Sequence, residues 1–114
     1  MNLKRAGYVR VDPFPYYVYF CVNADQLKSI GIVDEDLTCP GVCLSDSRKQ
    51  RSVIYIALDK ARGLNDLIGT VVHECTHAFQ HACESMGEEV KGEEFEAYAI
   101  ETLVRAFFLL GLIF

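Results

Sequence analysis

The sequence predicts an α+β domain, a small antiparallel or mixed sheet packed with helices, its strands gathered in the first half of the chain and its helices in the second. Three observations carry that expectation. Apolar runs rich in aromatic and β-branched residues, "YYVYFCV" and "SVIYIAL", all fall before residue 60. From Leu64 onward apolar residues recur at helical spacing instead. The connections are short, with no repeat, linker or low-complexity stretch, so residues 1–114 read as one domain with one core.

The elements follow in order. "YYVYFCV" (Tyr16 to Val22) comes after two prolines and reads as a strand. "NADQLKSIGI" reads as a short helix, capped by Asn23 and ended near Gly31. "GVCLS" and "SVIYIAL" flank the polar "DSRKQ" and suggest a hairpin. Both alternating sets of "SVIYIAL" are apolar, so that strand is covered on both faces or borders a cleft. A long helix is expected from Leu64 to about Met86, with Asn65 as N-cap and Gly87 as stop. The polar "GEEVKG" then leads to a last helix running from Glu93 almost to the C-terminus.

Composition narrows the partners. A net charge of −5 argues against nucleic acid or an anionic membrane surface as the main partner. The basic clusters Lys4-Arg5 and "SRKQR" read as solvated loops, and base stacking on "YYVYF" fits the charge poorly. The apolar tail "AFFLLGLIF" is shorter than the roughly 20 residues of a membrane span. It reads as the buried end of a core helix, with a homo-oligomer contact as the alternative. No secretory signal is visible, and five cysteines without framework spacing fit a reducing cytoplasm. The pair in "CPGVC" lacks the second Cys/His pair that a structural zinc site needs.

The chemistry is concentrated in "TVVHECTHAFQH", which holds every histidine in the chain. With Ile68 as zero on a helical wheel, Val71, Val72, Cys75, Phe79 and Ala82 fall within about 60° and form the apolar stripe. His73 and His77 land at about 140° and 180°, on the opposite face. Imidazoles at i and i+4 project side by side and can grip one Zn²⁺ with bonds of about 2.0–2.1 Å. Glu74 follows the first of them, so its carboxylate stands beside the metal and can take a proton from water activated there. His81 continues the ladder one turn, about 5.4 Å, further along, which suits a supporting or solvent-facing role better than ligation.

The third ligand is sought among the downstream acids Glu84, Glu88, Glu89, Glu93, Glu94, Glu96 and Glu101. On the last helix Glu96 shares a face with Ile100, Leu103, Phe107 and Leu110, all within about 40° of it. A carboxylate on a core-facing stripe is costly unless partnered, and a divalent cation is a suitable partner. The bland alternative is an acid favoured by the helix N-terminus, and Glu93 is the fallback ligand.

H-E-x-x-H on one helix and Glu96-Ala97-Tyr98-Ala99 on the next resemble the gluzincin pattern, the metallopeptidase clan that includes thermolysin. The gap between the two is short, so the chain looks like a minimal member, similar also to the small H-E-x-x-H proteins of phages and mobile elements. The resemblance spans about Ser52 to the C-terminus. It implies a zincin-like fold, zinc held by His73, His77 and Glu96, and Glu74 as general base in peptide-bond hydrolysis. It also makes "SVIYIAL" the edge along which an extended peptide or protein substrate is laid by strand addition. Larger gluzincins carry an oxyanion-stabilising Tyr or His on a separate domain. Here Tyr98 points away from Glu96, leaving His81 or an N-terminal tyrosine as substitutes. The competing expectation is a catalytically silent zinc-binding protein, a regulatory or interaction module. Glu74 argues against it, because a structural site has no use for a free carboxylate beside the metal.

Overall fold

The computed structural model describes residues 4–33, 37–87 and 92–112, with side chains of the last helix described to residue 110. Four strands, β1 (Gly7–Arg10), β2 (Tyr17–Cys21), β3 (Gly41–Asp46) and β4 (Arg51–Ile56), form one sheet in the order β1-β2-β4-β3. The outer pairs are antiparallel and the central β2–β4 pair is parallel. The helices are α1 (Ala24–Ser29), α2 (Leu64–Ser85) and α3 (Glu93–Leu112). This is the expected α+β arrangement, with a mixed sheet.

The sheet is covered on both faces. Val18, Phe20, Ile54 and Ile56 point toward α2 and α3, where they meet Val71, Cys75, Phe79, Leu103 and Phe107. The alternate residues Cys21, Val53, Tyr55 and Ala57 pack on the other face with Leu27 of α1. This two-sided burial is why both alternating sets of "SVIYIAL" are apolar. The expected hairpin is β3–β4, its turn closed by Gln50 N–H donating to Ser47 O at 3.3 Å. Asn23 caps α1, its Oδ1 accepting from Gln26 N–H at 2.8 Å.

Three details differ from the sequence expectation. β1 carries no strand signal of its own, because "GYVR" is short and half polar. It exists because β2 offers it an antiparallel partner, Gly7 opposite Phe20 through Arg10 opposite Tyr17. The N-cap of α2 is Gly63, not Asn65. Asp66 accepts Arg62 N–H at 2.9 Å and so steadies the chain just ahead of the helix. Finally, "SVIYIAL" is not an edge. β4 is hydrogen-bonded to β2 on one side and β3 on the other, so the free edge beside α2 belongs to β3. At the far end α2 stops as expected at Gly87, whose φ of +72° costs little without a Cβ. Most of the "GEEVKG" connection, including Glu88 and Glu89, lies outside the described residues, as do the last two residues of the apolar tail.

Candidate metal centre

α2 carries the three histidines, and its rotation decides what surrounds them. The buried arc runs through Val71, Cys75, Ala78, Phe79, Ala82 and Cys83. Ile68 and Val72, central to the expected stripe, are each 39% exposed. The helix is thus turned toward the Cys75–Ala78 side, which draws Glu74 inward to 8% exposure. β3 covers it there. Gly41 passes so close that a Cβ built on it would lie 2.8 Å from Thr70 Cγ2 and 3.3 Å from Glu74 Cγ.

His73 Nε2 and His77 Nε2 stand 3.2 Å apart. Two ligands on a tetrahedral zinc with bonds of about 2.0–2.1 Å would be separated by about 3.3–3.4 Å, so the pair is spaced for one small ion. His77 Nδ1 lies 3.2 Å from Gln80 Oε1. That acceptor holds the Nδ1 proton and leaves the Nε2 lone pair for the shared position. Glu74 completes a group in which one donor atom from each of His73, Glu74 and His77 lies within 4.8 Å of the others. His73 is exposed, His77 half-buried and Glu74 buried, so the group sits at a boundary with one side open to solvent.

Glu96 does not join this group. It stands half-buried in the first turn of α3, its N–H donating to Gly92 O at 3.0 Å. The neighbouring Phe95 packs edge-on against Phe79 and Phe14. α3 therefore docks on the apolar side of α2, about 160° around the helix from His77. Glu93 and Glu94 are exposed beside it, in the turn where the macrodipole favours acids. Tyr98 is exposed and lines a separate cavity of about 180 Å³ with Arg10, Asp12 and Phe95, away from the histidines.

His81 takes a different place from the other two. Its Nδ1 lies 3.5 Å from Ser52 Oγ and 3.7 Å from Cys43 Sγ, and Ser52 Oγ is 2.6 Å from the buried Tyr16 hydroxyl. Burial pushes the Cys43 and Cys75 thiols up to about 12, so both keep their protons at neutral pH. Neither Cys39 nor Cys43 joins a metal-holding group among the described residues. Two cavities lie along β3. One of about 380 Å³ is lined by Gly41, Asp66, Thr70, His73 and Glu74. The other, about 480 Å³, is lined by Cys43, Ser45, Asp46, Arg51 and His81.

The sequence pointed to His73, Glu74 and His77 but not to the residues that support them. Gln80 was findable, since i+3 from a ligand is the usual reach for an orienting side chain. Gly41, Ser52 and Tyr16 carried no local signal, because their role exists only through strand pairing. No protein family, curated protein or solved structure matches the chain.

Proposed function

We propose that the chain is a small zinc-dependent peptidase acting on peptides or proteins in a reducing compartment such as the cytoplasm. The observation that carries it is the 3.2 Å spacing of the His73 and His77 Nε2 atoms, with a buried carboxylate beside them. Zinc held by His73 and His77 would supply a Lewis acid and ease the deprotonation of water at the site. Glu74 takes the proton of the attacking water and returns it to the leaving amine. Its burial under Gly41 limits its motion, which keeps the base aimed at one point. The free edge of β3 offers backbone groups to an extended substrate beside this centre. None of the five cysteines is in a disulfide, and no described helix is long and apolar enough to cross a membrane.

Glu96, the third ligand the sequence suggests, stands outside the group of His73, Glu74 and His77 on the apolar side of α2, so it is not proposed as a ligand and the remaining positions on the ion fall to solvent and substrate. Glu74 itself decides between two readings. Its membership of the three-residue group suits a second reading, a zinc-binding module in which Glu74 ligates and no base is left over.

Glu74→Gln separates the two. Zinc affinity is measured by competition with a chromophoric chelator, and cleavage by digesting a denatured peptide library with zinc-loaded protein beside chelated controls. Metal-dependent cuts that vanish in a variant with near-native zinc affinity establish the peptidase. A variant that loses zinc, from a protein that cuts nothing, establishes the module.

A further inference from the structure

His81 has two neighbours at one ring nitrogen, and they bear on where the ring carries its proton. Ser52 is fully buried and Tyr16 nearly so, and their oxygens are 2.6 Å apart. Either hydroxyl could donate across this contact; a phenol is a stronger acid than an aliphatic hydroxyl and so the better donor, which makes Ser52 Oγ the acceptor. The Ser52 hydroxyl hydrogen is then directed to His81 Nδ1, 3.5 Å away. The protonated Cys43 thiol, 3.7 Å from the same nitrogen, is a weak donor and a poor acceptor. With both neighbours placed to offer hydrogens, Nδ1 would be the acceptor and the ring proton would sit on Nε2.

The ring stands in near-parallel register with that of His77, centroids 6.4 Å apart and planes at 18°. It also lines the cavity beside Cys43, Ser45 and Arg51. We propose that His81 is a positioning residue, its Nε2–H a fixed donor to an acceptor of an extended peptide lying along β3. One helical turn is about 5.4 Å and an extended chain rises about 3.3 Å per residue, so the acceptor lies about two residues from the bond at the His73–His77 pair. This assignment rests on the peptidase reading for its substrate, but not for its tautomer.

The test has two arms. In ¹⁵N-labelled zinc-loaded protein near pH 8, long-range proton–nitrogen correlation of the imidazoles reads the tautomer directly. His81 Nδ1 is expected as the unprotonated, pyridine-type nitrogen and Nε2 as the protonated one, with Ser52→Ala shifting the ring toward a mixture. Protonated Nδ1 in the native protein overturns the proposal.

The second arm uses fluorescein-labelled casein. His81→Ala is expected to raise KM by about 3- to 10-fold with kcat within about twofold, as loss of a uniform binding contact does. His81→Gln, whose amide N–H occupies much the same place, is expected to recover most of that loss. A fall in kcat alone, or a tenfold loss of zinc affinity in His81→Ala, overturns the donor role. A folded native protein that cuts nothing sinks the peptidase reading instead, and the nitrogen shifts still decide the tautomer.

Discussion

Gly41→Ala is the substitution that most directly probes how β3 holds the centre. The added methyl would lie 2.8 Å from Thr70 Cγ2, 3.3 Å from Glu74 Cγ and 3.3 Å from Ile56 Cδ1. Thr70 cannot simply rotate away, because its hydroxyl donates to Asp66 O at 3.1 Å. Ile56 is buried and backed by the core. The strain must therefore move α2 and β3 apart by a few tenths of an ångström at Thr70 and Glu74. Overpacking of this kind costs about 1–3 kcal/mol, offset by about 0.4–1 kcal/mol from stiffening the unfolded chain. A net loss of about 1–2 kcal/mol is expected, read as a lower urea midpoint at unchanged slope, followed by far-UV circular dichroism. His73 and His77 lie outside the contact, so zinc affinity should stay within about threefold, while a displaced base lowers kcat by about tenfold or more. Thr70→Ser removes the offending methyl, so the double variant should regain most of the stability and the rate. Unchanged stability in Gly41→Ala, or no rescue by Thr70→Ser, would show that β3 does not clamp Glu74.

Three further outcomes are expected. Zinc at 100 times its Kd should stabilise the protein by about 2.7 kcal/mol, a gain that chelator removes and that His73→Ala or His77→Ala abolishes in thermal melts. Glu96→Ala should leave zinc affinity near native, because Glu96 stands outside the group formed by His73, Glu74 and His77, whereas a large loss of affinity would bring Glu96 into the site. Burial pushes the Cys21, Cys43 and Cys75 thiols from 9.0 up to about 12, so their neutral forms favour the folded state. That contribution is whole below pH 9 and is lost as pH climbs toward 12, by about 1.4 kcal/mol per thiol per unit. Alkaline unfolding should therefore set in between pH 9 and 12 and move upward in Cys75→Ala, and at neutral pH the exposed Cys39 should be the fast-reacting thiol toward a disulfide reagent.

Where local pattern governs, the sequence was readable. The cap at Asn23, the β3–β4 hairpin, the stop at Gly87 and the start of α3 at Glu93 each follow from a few adjacent residues. The i, i+4 pair His73–His77 is local too, since a helix fixes that spacing whatever it packs against. What escaped was everything set by pairing at a distance. "GYVR" is a strand only because β2 lies beside it, and "SVIYIAL" loses its edge only because "GVCLS" folds back on it. A two-sided apolar strand is equally suited to a covered cleft wall and to a sheet interior, and only the registry of its neighbours separates the two.

The rotation of α2 shows the same limit at the level of function. A wheel centred on Ile68 sets Glu74 about 120° from the core, on the water side. The helix instead sits where small residues, Cys75 and Ala78, allow the sheet to come close, and Gly41 lets β3 come closer still. The cost is exposure of Ile68 and Val72, while the gain is a carboxylate drawn under a strand with two imidazoles left at its outer flank. A helix optimised only for burying its largest apolar residues would have turned the other way and left Glu74 solvated beside the histidines. The orientation adopted gives up apolar burial and encloses a carboxyl group, an exchange that apolar burial alone does not favour and that the base role proposed for Glu74 would.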